Sequence, residues 1–383
     1  MTMKKLFNRW SLSFTILSRS PAQRTTGGFL LLFLVVFRLS AHCWAEPVPL
    51  EQLNPEFVPF FADDLDRMSL KTAVRQSLSA LRKRDAAELV VFGNQQLPLG
   101  RLRDSLKAFL TLVETEPELG TALLRNFDIY RVTLPVLFTG YHEPIINGSL
   151  VRTGRYRYPL YRRPDDLPSL GTSVPYFSRA EIDGRGILNG KGYELFWLDD
   201  PIERFFLHIQ GSGQIRLPGE SRIRVGYAAD NGRPYQSIGR FLLDQGKLRS
   251  GEVSTPAIRR YLENHPHERD EILFRNPRYI FFKSVPNGPV GSLGVPLTPG
   301  RSLATDPSIY PLGALAFIHA KKPTLNTENQ ITWQEFFRFV LLQDSGAAIT
   351  GPSRADLFWG SAAEAEAGYM AQQGELYLLV KKP

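Results

Sequence analysis

The residues best suited to chemistry lie in the last sixth of the chain, in the stretch LLQDSGAAITGPSRADLFWG. Asp344 closes a strand-like run, the small residues Gly346, Ala347, Ala348 and Gly351 follow, and Asp356 precedes Leu357-Phe358-Trp359. Two carboxylates flanking a turn between barrel strands can face one cleft, and small residues between them let a bulky ligand approach the backbone. A free aspartate titrates near ~3.9. To give up a proton near neutral pH it must be pushed upward by desolvation or by a neighbouring carboxylate. Asp356 has a candidate for each, in Trp359 and Asp344. Asp306, in ATDPSIYPLG, is a third acid, although an Asp before a proline in a turn commonly bonds its own backbone.

A second group suits recognition rather than proton transfer. Gln210, Ser212 and Gly213 fall in HIQGSG, Thr139 and Tyr141 in TGYHEP, and Tyr156, Tyr158, Tyr161 and Trp197 lie nearby in sequence. Sugars are held by stacking on aromatic faces and by directional hydrogen bonds, and these residue types serve both needs. Any single Tyr taken alone reads first as core packing.

The elements that must position these groups follow from the pattern. Leu70, Val74, Leu78 and Leu81 share a helical face behind Asp63 and Asp64 as caps, and Leu106, Phe109, Leu110 and Val113 repeat the spacing. From Tyr130 the chain turns β-like. RFFLHIQGSG at 204–213 and RIRVGYAA at 222–229 read as a hairpin. Helices follow, one near Tyr235 and one at Thr255-Pro256, read as an N-cap and its N1 proline. YIFFKSV, GALAFIHA, FRFVLLQD and ELYLLVKK then return to strands. The expected class is mainly β with α, an α+β architecture built from barrels.

Composition narrows the function. Six of the 46 Lys and Arg residues precede the first acid, Glu46, so the body that follows is close to neutral against its 38 acids and calls for no nucleic-acid partner. Residues 1–45 read as an export signal: a basic lead, the apolar GGFLLLFLVVF, and Cys-Trp-Ala before Glu46. Cys43, the only cysteine, is an alternative lipid attachment point, with His42 where a lipobox wants Gly or Ala. One cysteine excludes an internal disulfide. His265-x-His267 reads as a loop without further ligands of familiar spacing, so no metal and no cofactor are expected.

In order along the chain, TGYHEP, YPLYRRP, SRAEID, HIQGSG, YAADNGRPYQSIGRFLLDQG, NPRYIFFK, GRSLATDPSIYPLGALAFI and QDSGAAITGPSRADLFWG together resemble the lytic murein transglycosylase A family. The resemblance runs from about residue 130 to the end. It implies a double-psi β-barrel assembled from 46–139 and 285–383, a smaller β-barrel inserted at 140–284, and a wide groove between them. The C-terminal segment resembles the three-aspartate domain, whose acids match Asp306, Asp344 and Asp356. The resemblance implies cleavage of the β-1,4 bond between N-acetylmuramic acid and N-acetylglucosamine with a 1,6-anhydro product. Asp356 falls on the catalytic acid and Asp344 on its support, with Thr139, Tyr141, Gln210, Ser212, Gly213 and Trp359 toward the glycan. Gly346-Ala347-Ala348-Ile349 departs from the family's frequent Gly-Gly-Ala-Ile, and Thr350 stands where Lys is frequent.

The expected partners are peptidoglycan glycan strands and other cell-wall enzymes, with outer-membrane association. The chain is expected to act as a monomer in the periplasm or on the periplasmic face of the outer membrane of a Gram-negative-type bacterium. Three alternatives stand beside this reading. A wall-binding barrel would keep the groove and lack the chemistry, a glycosidase would use water as acceptor, and an aspartic protease would need a second Asp-Thr/Ser-Gly that the chain lacks.

Overall fold

The computed structural model describes residues 50–168, 175–328, 330–361 and 370–383. The expected export signal at 1–45, with Cys43, lies outside the described residues. No helix among those described is long and apolar enough to cross a membrane.

The chain opens with β1 (Leu50–Gln52), α1 (Arg67–Leu81), the hairpin β2 (Leu89–Phe92) and β3 (Gln95–Pro98), α2 (Leu99–Thr115), α3 (Leu119–Asn126), β4 (Phe127–Val132) and β5 (Val136–Tyr141). Next come β6 (Ile145–Ser149), β7 (Tyr158–Tyr161), β8 (Glu194–Leu198), α4 (Pro201–Gln210), β9 (Ser212–Arg216), β10 (Arg222–Asp230), α5 (Ile238–Asp244), α6 (Thr255–Asn264), α7 (Pro266–Phe274) and β11 (Ile280–Ser284). The last part is β12 (Ser302–Ala304), β13 (Leu315–Leu325), β14 (Ile331–Asp344), β15 (Arg354–Phe358) and β16 (Ala371–Lys381).

The first barrel runs β16-β13-β14-β12-β15-β5, and β16 closes the ring because its leading residues pair with β5 while its second half pairs with β13 and β4. Two of its pairings, β12 with β14 and β15 with β5, are parallel and the rest antiparallel. This is the expected double-psi barrel, with β4 and β1 added outside. The burial of the strands shows why. Ala316, Ile318, Val340, Leu342, Leu376 and Leu378 point inward, while the alternate residues Phe317, Phe339, Leu341, Tyr377 and Leu379 meet α1 and α2 on the outer face. A strand buried on both faces carries a continuous apolar run rather than an alternating one, which explains FRFVLLQ and LYLLV. Truncating such a side chain to Ala costs about 2–5 kcal/mol.

Asp63 and Asp64 do not cap α1. That role belongs to Asp66, whose side chain accepts from the Ser69 N–H. Asp63 instead meets the fully buried Arg301 at 2.6 Å, and Asp64 takes Arg338 through two bonds of 2.7 and 2.8 Å. These pairs fasten the N-terminal segment to the C-terminal half of the barrel.

The second barrel is built wholly from β6–β11, in the order β11-β10-β9-β6-β8-β7, with a parallel bridge between Arg162 and Phe282 joining the edges. One expectation fails here. RFFLHIQ is not a strand but the helix α4. Asp200 accepts the N–H groups of Ile202 and Glu203, Pro201 occupies the first turn, and Gly211 takes the left-handed C-terminal position at φ 76°. These are complete start and stop signals. They outweigh the β propensity of Phe and Ile, and the hairpin partner of β10 is β9 alone. Ser254, not Thr255, caps α6, and His265 and His267 stand at the junction with α7 rather than in an open loop.

Candidate active site

The site starts from strand register. Asp344 on β14 lies beside Ala304 on β12, Ala304 lies opposite Asp356 on β15, and Asp356 is in register with Thr139 on β5. Register neighbours share a face, so one row across four strands carries both acids with a methyl group between them. Their backbones lie roughly 10 Å apart, two strand spacings. The β12–β14 register shifts between Leu303 and Ala304, which brings Asp344 into the row.

Among the described residues, neither carboxyl has a cation bound directly to it. Asp356 accepts from the Thr139 hydroxyl at 2.9 Å, and Arg354 donates only to that hydroxyl, at 3.4 Å. Asp344 accepts from the Tyr141 hydroxyl at 2.7 Å on one oxygen. Its other oxygen takes Ser292 N–H (2.9 Å), Ser292 Oγ (3.0 Å) and its neighbour's Ser345 N–H (2.9 Å). Ser292 can approach because residue 291 is glycine: a Cβ there would sit 2.4 Å from the Gln343 carbonyl oxygen.

Desolvation sets the protonation of the pair. Burial pushes Asp356 up to about 6, with the Asp344 charge adding to the rise while Thr139 and Arg354 oppose it. Asp344 is also raised by burial, against the pull of its four donors. The Tyr141 phenol is held well above its ordinary range by burial and by Asp344, so it remains a donor. Asp356 is half-buried. The apolar wall is Tyr141, Leu297, Ala304 and Phe358, with the Tyr141 and Phe358 rings 5.2 Å apart. Trp359 is not part of it. Strand alternation turns it away with Leu357, onto the inner cluster, where the Arg338 guanidinium lies 5.8 Å from its ring.

The other expected residues fall into two sets. Gln210, at the end of α4, accepts the His142 N–H at 3.1 Å, directly after Tyr141, and Ser212 begins β9 beside it. Gly213 is required by packing: a Cβ would lie 2.5 Å from Leu207 Cδ1 and 3.2 Å from the Pro144 carbonyl. Asp306 is apart from the pair. Despite partial burial, bonds from Ser308 (2.9 and 2.6 Å) and Gly351 N–H (2.7 Å) hold it below the usual carboxylate range, and it ties its own turn to the loop before β15. Tyr156, Tyr158 and Trp197 belong to the insert, each beneath an arginine, and Tyr161 is buried in it.

Glu143 was not anticipated. It is buried where the chain leaves the first barrel, and its carboxylate takes Arg224 Nε (2.5 Å) and Gln214 Nε2 (2.7 Å) of the insert, with Ser361 Oγ of the first barrel at 3.4 Å. It pins the crossing that sets one barrel against the other. TGYHEP marks the place, but nothing local marks Glu143 as paired, because both insert partners lie some 70–80 residues away in sequence. The same holds for Ser292.

Two family models match the chain: the MltA specific insert domain over residues 137–283 and the 3D domain over 301–380. Membrane-bound lytic murein transglycosylase A of Escherichia coli K12 is 36% identical over 253 residues, 65% of this chain and 66% of that protein. The Vibrio cholerae protein of the same name is 34% identical over 249 residues, 64% and 65% of the two chains. Among solved structures, a membrane-bound lytic murein transglycosylase from Agrobacterium tumefaciens superposes with a TM-score of 0.72 at 30% identity, covering 87% of this chain and 97% of that one. The lytic transglycosylase LtgG of Burkholderia pseudomallei gives 0.52 at 36% identity, covering 88% and 96%. E. coli MltA with bound chitohexaose gives 0.68 at 27% identity, covering 88% and 95%. The curated relatives are matched over about two thirds of their length and the solved ones over nearly all of theirs, and both barrels are included: the chain belongs to the lytic murein transglycosylase A family.

Proposed function

We propose that this chain is a peptidoglycan lytic transglycosylase that cuts the β-1,4 bond between N-acetylmuramic acid and N-acetylglucosamine and leaves a 1,6-anhydromuramoyl end. The observation that carries the reading is the half-buried Asp356, whose carboxyl burial pushes up to about 6 and which accepts from a neutral hydroxyl, with a second acid in the same row of strands. Protonated Asp356 gives its proton to the glycosidic oxygen as the C1–O bond breaks and N-acetylglucosamine leaves with a free 4-hydroxyl. The C6 hydroxyl of the same muramoyl sugar then attacks C1, and its proton returns to Asp356. The acceptor is held by the substrate itself, so proximity replaces an activated water, and the second carboxylate that a hydrolase needs for that water is not required. Asp344 faces the developing positive charge, and Thr139 and Tyr141 act by holding the two acids. Gln210 and Ser212 line the approach from the insert. The E. coli relative is described with chitohexaose bound, which supports a glycan as the ligand. The chain works on strands at the periplasmic face of the cell envelope, as a monomer and without a cofactor.

The test is Asp356→Asn, which keeps shape and removes the proton. General acid catalysis contributes about 10²–10⁴-fold, so purified variant given wall sacculi is expected to bind them and release almost no anhydromuropeptide. Mass spectrometry of the wild-type digest reads the acceptor, since a reducing end is one water heavier than an anhydro end. Near-normal turnover by the variant, or reducing ends from the wild type, would overturn the proposal.

A further inference from the structure

The insert carries a cavity of about 430 Å³ that this chemistry leaves idle. It lies between β7 and β8, the start of α4 and the end of α7, over an apolar floor that includes Pro159, Ile182 and Leu273. Its acids are all engaged. Asp183 meets Arg204 at 2.9 Å and the Tyr279 hydroxyl at 3.0 Å, Glu194 accepts the Gly190 N–H at 2.7 Å, and Asp270 takes Arg269 at 2.8 Å.

Two of its arginines are not engaged. Arg152 and Arg157 are exposed, and neither meets a carboxylate among the described residues. Their guanidiniums lie over rings instead, Arg152 at 5.5 Å from Trp197 and Arg157 at 5.2 Å from Tyr158. A guanidinium laid on an aromatic face is oriented while its N–H fork stays free for a carboxylate. The mouth of the cavity therefore shows two ordered cations beside an apolar floor, which suits a carboxylate on a short aliphatic chain and not a neutral sugar.

Helix α4 relates this cavity to the acid pair. Pro201 and Arg204 line the cavity, and Gln210, at the other end of the ten-residue helix, holds the residue after Tyr141. The helix spans about 15 Å, and an extended peptide of four residues reaches about 14 Å. We infer that this cavity docks the acidic peptide borne by a glycan strand in the groove, with Arg152 and Arg157 pairing with its carboxylates. The inference rests on the proposed glycan substrate and adds a second point of contact to it.

Binding is measured in the silent Asp356→Asn background, on wall strands with peptides intact and on the same strands stripped of peptide by an amidase. The Arg152→Ala/Arg157→Ala pair is expected to weaken binding of the peptide-bearing strand about tenfold and to flatten its salt dependence, with stripped strands bound as before. Arg152→Lys/Arg157→Lys keeps charge without the fork and recovers only part of the loss. Equal affinity for both strands in the parent, or parallel loss on both in the double variant, overturns the inference. Failure of the catalytic reading would show separately, as stripped strands left uncut by the chain with Asp356 intact.

Discussion

Asp183 in the insert and Asp356 in the first barrel are both aspartates set among rings and apolar side chains, and they are partnered in opposite ways. Asp183 is 5% exposed and sits against two buried arginines, Arg204 at 2.9 Å and Arg179 at 3.5 Å, with the Tyr279 hydroxyl completing its shell. His208 in the same cluster is kept neutral, pushed well below its ordinary value by burial and by those two cations. Asp356 has a hydroxyl and a second acid nearby, and its one arginine stands a step removed. Charge neutralised from every side makes a strut. A buried acid given only neutral donors makes a proton carrier, because its ionised form is under-compensated.

The comparison breaks most sharply with one substitution made twice. Asp183→Asn leaves Arg179 and Arg204 buried without a counter-charge, which costs about 3–5 kcal/mol. Urea unfolding followed by tryptophan fluorescence is expected to show that loss at pH 7. Asp356→Asn should do the reverse. The native state binds this proton more tightly than the unfolded chain, so the wild type loses stability as pH rises from about 4 to about 6 and stays at that lower level above. The shift sets an upper bound of about 3 kcal/mol. The amide is expected to stabilise by about 1–3 kcal/mol at pH 7.5, with the gain vanishing below pH 4. A loss of stability at both positions would mean that Asp356 is a strut as well.

Much of this contrast was legible in the sequence, and what was not has a physical cause. Asp344 and Asp356 announce themselves because strand ends, small residues and apolar neighbours lie within one short stretch. The strands β13, β14 and β16 read correctly for the same local reason, while the short β12 and β15 were not read as strands. The partners do not read. Ser292 and Glu143 act through contacts between segments far apart in the chain, Thr139 meets Asp356 through strand register, and a register shift that passes over Gln343 sets Asp344 beside Ala304. Trp359 was assigned to the cleft by adjacency, yet alternation along β15 puts Phe358 there instead. RFFLHIQ failed because its residues favour a strand while its ends encode a helix, and the ends won.

The finest test of the comparison is made on the hydroxyl and the acid beside Asp356. If the rate depends on protonated Asp356, activity falls as pH rises through the pKa, near 6. Thr139 stabilises the ionised form by donating to it, so Thr139→Val should raise the pKa and move the falling limb upward by about half a unit to one unit. Asp344 disfavours that form through its charge, so Asp344→Asn should lower the pKa and move the limb downward by a similar amount. Thr139→Ser keeps the donor and should leave the limb in place. The pH profile of anhydromuropeptide release reads all three variants, and opposite displacements are the signature of a site tuned by charge. Should Val and Asn displace the limb in the same direction, the two neighbours would be acting through the position of the Asp356 carboxyl, and the distinction between strut and proton carrier would have to be drawn from geometry instead.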